Sequence, residues 1–247
     1  GRLDPHVDKL LPFSPDIAAA EDPIPYDEKQ LRDVVALYGV FAGKYQQLLP
    51  ANLTTPEFIA RLMRDSLHLL RHEAVIKRYL HADGNYIALS HFNANIDNAW
   101  FWRDATGALQ CGLLDWQRAR QMNVAYALWG GLCGMSPDIW NLHLDDLLHR
   151  FVTDLHAQGG PQLYAAEVRL HLDLYAAMIG LAGLIMSPGL ILSRLPEAAY
   201  ASGPLDPIFR KNEVARSFLN VLTNLLSLWQ SDDFGARVDQ VLTRMGR

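Results

Sequence analysis

Apolar residues recur at three- and four-residue intervals over most of the chain, a spacing that predicts mostly helical structure. The first long helix is predicted to start at Asp27, where Gln30 completes a capping box. A second start is indicated by Thr55 as the N-cap, followed by Pro56 at the first helical position. Helical spacing returns at Val124 and continues almost to the end of the chain.

The second half of the chain is predicted to contain four more helices. One apolar stripe covers residues 140–155, and a long apolar segment covers residues 162–186. We expect the sequence Ser-Pro-Gly at 187–189 to end that long helix. The last two helices are predicted at 213–229 and 232–244, after a proline-rich loop.

Between the two helical parts lies a region of short apolar runs, which predicts a small amount of β-structure. The runs cover residues 86–89, 99–102 and 109–114. Asp104 and Gly107 between the last two runs are typical turn residues. The fold class is therefore α+β and mostly helical, with a β-hairpin insert.

Composition narrows the classes of function. The net charge is −5, and no stripe of lysine and arginine alternates with aromatic residues, so nucleic-acid binding is not expected. The longest apolar run, at 174–186, is shorter than the roughly 20 residues that span a bilayer, so no membrane association is expected. The two cysteines have no metal or redox spacing, which favours a reduced, cytoplasmic protein.

One motif carries specific chemistry. Residues 91–98 read His-Phe-Asn-Ala-Asn-Ile-Asp-Asn, and an apolar strand then leads to Asp115, 17 positions after the last asparagine. This spacing resembles the aminoglycoside phosphotransferase family, which is choline-kinase-like and has a protein-kinase-like fold. Family members carry a His-Gly-Asp-x-x-x-x-Asn loop, a hairpin, and then an apolar pair followed by Asp-Trp or Asp-Phe.

The resemblance implies a role for four residues. His91 is the loop histidine, and Asn93 occupies the position of the catalytic aspartate that accepts the proton of the substrate hydroxyl. Asn98 and Asp115 correspond to the residues that bind magnesium and, through it, the phosphates of ATP. The cofactors implied are thus Mg²⁺ and ATP, and the partners are a nucleotide and a small-molecule acceptor.

The resemblance also implies a domain organisation. Residues 27–247 match the helical C-terminal lobe of the kinase-like fold. Residues 1–26 contain five prolines and are predicted to form an irregular arm or linker from an N-terminal lobe that the sequence does not include. The start at Gly1 suggests a longer parent protein. Neither a glycine-rich loop nor a strand lysine for the phosphates occurs before the motif.

Two departures from the family pattern lie inside the lobe itself. Phe92 and Asn93 stand where the family has Gly-Asp, and an amide lacks the carboxylate of a general base. Ala127 stands where the family has an aspartate that braces the catalytic loop. Asp97 is a poor replacement for the base, because it neighbours Asn98 and should point to the opposite side of an extended chain.

Each site residue also has a structural interpretation. Asn93 and Asn98 are common turn residues, and Asp115 could simply cap the segment after its strand. His91 is more readily interpreted as a hydrogen-bonded structural histidine than as a proton-transfer group. The histidine pair His68 and His72 lacks the glutamate spacing of a zinc protease and is expected on a solvated helix face.

Three hypotheses about function follow. The first is an ATP- and magnesium-dependent phosphotransferase acting on a hydroxyl group of a small molecule, weak or inactive because Asn93 replaces the aspartate. The second is a non-catalytic, pseudokinase-type binding or regulatory module, and the third is a structural helical protein with a chance motif. The acceptor, the oligomeric state and the presence of an N-terminal lobe in the parent are left open.

The first hypothesis makes a geometric prediction. If the hairpin pairs symmetrically about Thr106 and Gly107, partner numbers add to about 213, and Asn98 lies opposite Asp115 with both side chains on one face. Those side chains should lie within about 7 Å of each other, in a cleft that also receives Asn93. A register that puts them on opposite faces, or the absence of a hairpin, would rule out the kinase assignment. Trp100 and two other tryptophans, at 102 and 116, are expected in the core.

Overall fold

The structure, a computed structural model, describes residues 9–246 except for the side chains of residues 137 and 138. Helices alternate with two short pairs of strands. The helices are α1 (Pro15–Ala20), α2 (Glu28–Lys44), α3 (Pro56–Ala82), α4 (Val124–Leu132), α5 (Pro137–Ala157), α6 (Ala165–Ala182), α7 (Ser187–Arg194), α8 (Glu213–Ser231) and α9 (Phe234–Arg244). The strands are β1 (Ile87–Ser90), β2 (Ala99–Arg103), β3 (Leu109–Leu113) and β4 (Arg120–Asn123). The predicted α+β, mostly helical class is confirmed.

Local capping signals placed the first two long helices correctly. The Asp27 carboxylate accepts the backbone N–H of Gln30 at 2.8 Å, and the Gln30 side chain accepts the N–H of Asp27 at 2.9 Å. Thr55 caps α3 by accepting the N–H of Phe58 at 3.2 Å, with Pro56 in the first turn. These caps satisfy N–H groups that have no partner inside the helix.

The predicted end of the long apolar helix is wrong. Helix α6 stops at Ala182, where Gly183 leaves the helical conformation, and the predicted stop sequence at 187–189 instead begins α7. Proline is tolerated in the first turn of a helix because its missing N–H has no partner there. Pro188 therefore marks a start and not a stop.

Helix α6 is the centre of the core, and most of its residues are buried. It packs against α3, α4, α5, α8 and α9. Its contact with α8 is close: a Cβ atom added to Gly180 would lie 2.5 Å from the Leu225 side chain. No single described helix is long and apolar enough to cross a membrane. One pair is, by length and composition: α6 together with 184–194, bent by 48°.

The strands form two separate antiparallel pairs, β1 with β4 and β2 with β3. The first pair lies against α4. The second pair is the predicted hairpin, closed by a five-residue turn in which the N–H of Asp104 bonds the carbonyl of Ala108 at 3.0 Å. The loop that carries the motif connects the two pairs.

The described part of the predicted irregular arm is more ordered than expected. It contains α1, which packs against α3. The Ile24 N–H bonds the Glu73 carboxylate of α3 at 3.0 Å, and Arg120 of β4 forms an ion pair with Glu21 at 2.7 Å. Proline spacing suggested only irregularity, because these contacts come from residues far away in the sequence. Residues 1–8 of the predicted arm lie outside the described residues.

Candidate functional site

His91 ties the motif loop to the end of β3. Its Nδ1 accepts the backbone N–H of Asn93 at 3.2 Å, so the ring proton of a neutral imidazole is on Nε2. That nitrogen lies 2.6 Å from the carbonyl oxygen of Leu114. The ring is buried, and its edge meets the Trp116 ring at 4.8 Å between centroids. Because both nitrogens bond backbone groups, the histidine holds the loop in place, as the structural interpretation predicted.

Asn98 closes the loop from its other end. Its Nδ2 donates to the carbonyl of Asn93 at 2.8 Å, and its own carbonyl accepts the N–H of Leu114 at 2.8 Å. The amide is thereby oriented, and its Oδ1 remains available as an oxygen ligand. Asn98 is half-buried, at the point where the loop enters β2.

Asn93, at the position of the family's base, is part of a local amide network. Its Oδ1 accepts the Nδ2 of Asn95 at 2.8 Å, and the Oδ1 of Asn95 accepts the N–H of Asp97 at 3.0 Å. A turn bond of the kind expected in the structural alternative for Asn93 and Asn98 is therefore formed by Asn95. Asp97 is exposed on this turn.

Asp115 follows β3 in the left-handed conformation, with φ 61° and ψ 55°. Aspartate adopts this conformation more readily than most side chains do. The residue is exposed, and its carboxylate has no hydrogen bond or ion pair with any residue in the described part of the chain. The capping role considered from the sequence is not observed, since Asp115 makes no side-chain cap bond to the turn that follows.

The predicted hairpin exists, but its predicted register is wrong by one residue. Ala99 pairs with Leu113 and Arg103 with Leu109, so partner numbers add to 212. Asn98 therefore lies opposite Leu114, not Asp115. Strict strand alternation would put Asn98 and Asp115 on opposite faces. Alternation does not apply to Asp115, because its positive φ takes it out of the strand.

Gly130 and Gly131, which were not expected to belong to the site, contact the backbone of the motif loop. A Cβ atom on Gly130 of α4 would lie 1.8 Å from the carbonyl oxygen of Phe92, and one on Gly131 would lie 3.4 Å from that of Ala94. The loop backbone thus rests directly on this glycine pair. Ala127, on the same helix, has no polar side chain to brace it. Two adjacent glycines inside a helical pattern were the available signal, since glycine is costly there.

The aromatic residues of the hairpin are not in the core, contrary to our expectation. Trp100 is 63% exposed, Trp102 45% and Trp116 53%. The pair β2–β3 forms a two-stranded sheet with no third described strand. Such a ribbon has too little surface to bury large side chains on both faces.

A groove of about 440 Å³ opens beside the loop. Phe92 lies in its wall, and the Arg118 guanidinium lies 5.6 Å from the centre of the Phe92 ring. Arg120 and Tyr126 complete this side, and the carboxylates of Glu21 and Asp22 face them from the arm. The groove has the size and mixed polarity of a small-molecule site.

Magnesium fits the donor set of the loop only in part. Asn98 and Asp115 offer hard oxygen atoms, and Mg²⁺ in proteins is usually held by one or two carboxylates together with water and substrate phosphates. No group of three or more His, Cys, Asp or Glu side chains that could hold a metal occurs among the described residues. The site could thus bind magnesium together with phosphate but not as an all-protein cage.

Comparison with protein-family models, curated proteins and solved structures finds no match to this chain.

Proposed function

We propose that the chain is the helical lobe of a phosphotransferase-like protein, in which Asn98 and Asp115 bind a magnesium–nucleotide complex and phosphoryl transfer to a small-molecule hydroxyl is weak or absent. The observation that supports this most is the bonding of loop and hairpin through one residue. The carbonyl oxygen of Leu114 accepts a hydrogen bond from Nε2 of His91, and the N–H of Leu114 donates to the carbonyl oxygen of Asn98. Asp115 is the next residue in the chain.

Asn98 and Asp115 would bind the magnesium ion that accompanies the phosphates of the nucleotide. Magnesium, when bound, neutralises charge on the phosphate oxygens. Asn98 would present Oδ1, because its Nδ2 is held by Asn93, and Asp115 would present a carboxylate with no described protein partner. The left-handed conformation of Asp115 releases it from the side-chain alternation of the strand.

The acceptor side of the reaction lacks a proton acceptor. Asn93 has no carboxylate, and its Oδ1 already accepts a hydrogen bond from Asn95. General-base catalysis typically contributes about 10²- to 10⁴-fold to a rate, so its loss slows transfer without preventing nucleotide binding. The groove beside Phe92 is the proposed position of a small-molecule acceptor.

A second candidate is a non-catalytic binding or regulatory module of the pseudokinase type. The specific observation that favours it is the same amide network, which fills the position of the base with a neutral, locally bonded side chain. The two candidates share nucleotide binding and differ in turnover. Formation of ADP that requires an acceptor alcohol supports the first, and binding without turnover supports the second.

Titration with Mg-ATP tests the shared step. We expect a dissociation constant weaker than about 0.1 mM, or about −5.5 kcal/mol, because only the metal side of a nucleotide site is present. Mn²⁺ in place of Mg²⁺ should broaden the amide NMR signals of residues 91–98 and 115. Micromolar affinity would show a nucleotide pocket elsewhere, and the absence of metal-dependent binding at millimolar ATP would refute the proposal.

Asp115→Asn is the most informative variant, because asparagine also adopts the left-handed conformation and only the charge is lost. We expect at least about tenfold weaker Mg-ATP binding, in line with about 1.4 kcal/mol for a charged ligand to the metal. Asp97→Asn is the matched control, since it removes the same charge from an exposed loop position. Equal loss in both variants would mean that general charge, and not a metal site, controls binding.

A further inference from the structure

A second cavity, of about 160 Å³, lies between the arm and the helical body. Its roof is α1 and the residues just before it, and its floor is formed by α3, β4 and α6. Most of its lining is apolar, including Phe13, Ile17 and Ala18 from the arm and Met122, Met178 and Ile179 from the body. The motif loop 91–98 contributes no residue to it.

The roof is fastened at both ends by hydrogen bonds. Before α1, the Gln121 side chain donates to the carbonyl of Leu11 at 2.6 Å. After α1, the Lys77 ammonium donates to the carbonyl of Glu21 at 2.7 Å, and the Tyr126 hydroxyl donates to the Asp22 carboxylate at 2.9 Å. The arm is therefore a defined wall of the cavity.

Three of the four charged side chains that line the cavity have ion-pair partners, and the fourth, Asp22, accepts the Tyr126 hydroxyl at 2.9 Å. Lys77 is buried and forms an ion pair with Glu73 at 2.8 Å in addition to its bond to the carbonyl of Glu21. Arg120 forms an ion pair with Glu21 at 2.7 Å. An anionic ligand would have to lose its hydration without gaining an unpaired cationic partner, which is costly in an apolar cavity. The lining therefore favours a neutral molecule over an anion.

His81 and Tyr175 form a polar pair at the cavity that can still accept a hydrogen bond from a ligand. His81 is buried, and its Nδ1 donates to the carbonyl of Lys77 at 2.7 Å, so Nε2 accepts the Tyr175 hydroxyl at 2.9 Å. Burial lowers the pKa of His81 and so favours this neutral form. The Tyr175 oxygen has then used its proton and keeps lone pairs that can accept a hydrogen bond.

We infer that this cavity is a binding site for a neutral organic molecule of about one ring, carrying a single hydroxyl or N–H donor that bonds the Tyr175 oxygen. The size follows from the volume, since an apolar protein cavity of about 150 Å³ accommodates benzene. The polarity follows from the lining, whose surface is mainly apolar and in which the Tyr175 oxygen, bonded to His81, keeps a lone pair for a ligand. Phenols are the simplest compounds that meet both requirements.

Phenol and toluene are the probes, and benzoate is the charged comparison. We expect saturable binding of phenol, monitored by NMR of protein labelled at the methionine methyl groups, with shifts at Met122 and Met178. Toluene should bind with about fivefold lower affinity, which corresponds to one hydrogen bond. Benzoate should not bind. Absence of saturable binding for both neutral probes, or shifts that spare both methionines, would overturn the inference.

Two variants test the geometry. Tyr175→Phe should weaken phenol binding about fivefold and leave toluene unchanged, because it removes the acceptor and keeps the ring. Ala18→Phe should block both probes by filling the cavity, whereas Ala20→Phe, on the exposed side of the same helix, should not. If Tyr175→Phe affects the two probes equally, the proposed bond is wrong. Mg-ATP binding should be unchanged by all three variants, so failure of this inference is distinguishable from failure of the proposed function.

Discussion

The Nε2 atom of His91 lies 2.6 Å from the carbonyl oxygen of Leu114, the residue directly before Asp115. The bond joins the motif loop to the far end of the hairpin, across 23 positions of sequence. Because the other ring nitrogen accepts the N–H of Asn93, one side chain fixes both the loop and the start of the segment that carries Asp115. The arrangement at the candidate site therefore depends on His91.

Replacing His91 by phenylalanine should lower the free energy of unfolding by about 1–3 kcal/mol, because both hydrogen bonds are lost and the ring volume is kept. Urea denaturation followed by circular dichroism measures the change. His143→Phe, at an exposed position of α5, is the control and should change stability by less than about 0.5 kcal/mol. Equal stability of the two variants would show that the bond contributes little.

Gly130→Ala should be more disruptive than its size suggests. The new Cβ atom would lie 1.8 Å from the Phe92 carbonyl oxygen, so the loop or α4 must move. We expect a loss of about 1–3 kcal/mol in stability and weaker Mg-ATP binding. Gly43→Ala is a matched control in α2, where nothing lies within 4 Å, and it should stabilise the protein by up to about 1 kcal/mol. A neutral effect of Gly130→Ala in thermal denaturation would contradict the close packing.

Asn93→Asp restores a carboxylate at the position of the base, but we expect no robust kinase activity. Ala127 still offers no polar brace to the loop, and positioning is worth more to phosphoryl transfer than the base alone. A coupled assay for ADP, with and without an aminoglycoside acceptor, measures turnover. A rate of about 1 s⁻¹, at the lower end of the range for kinases, would overturn the interpretation of the chain as a weak or inactive enzyme.

The lowered pKa of Glu167 predicts that the protein loses stability in acid. This pKa is lowered to about 2, chiefly by the His171 imidazole, whose Nε2 lies 3.6 Å from the carboxylate, and further by Arg244 and Tyr79. A carboxyl group whose pKa is lower in the folded than in the unfolded protein stabilises the fold above the unfolded value of 4.5. That contribution is lost as the pH falls from 4.5 towards 2.

Glu167→Gln should therefore flatten the dependence of stability on pH in this window. Because the side chain is partly exposed, we expect the difference between the variant and the wild type to shrink by only about 1–2 kcal/mol between pH 6 and pH 3. Urea denaturation at these two pH values measures it. Glu213→Gln, at the exposed start of α8, removes the same charge elsewhere and is the matched control. A wild-type-like slope in Glu167→Gln would show that other groups control acid stability.

The sequence alone determined those features that depend on near neighbours. The capping box of Asp27 and Gln30 and the start of α3 at Thr55 each involve residues within three positions, and both were predicted correctly. The hairpin was predicted for the same reason, from two apolar runs around Asp104 and Gly107. Its register was not, because Gly107 takes a positive φ of 84° and closes a turn of five residues centred on Thr106. When the centre of the turn is displaced, the partner of every residue in the two strands changes by one position.

The tertiary structure decided what joins these elements. The packing of the loop on Gly130 and the bond from His91 to Leu114 each involve residues more than 20 positions apart, and no local pattern encodes such contacts. The same holds for the arm, where the prolines indicated irregular structure and distant partners such as Lys77 hold the backbone of Glu21 in place. The exposure of Trp100 is a consequence of topology, since a hydrophobic side chain is buried only if another element covers its strand. The sequence thus determined which residues could form a site, and the packing of separate segments decided which of them meet.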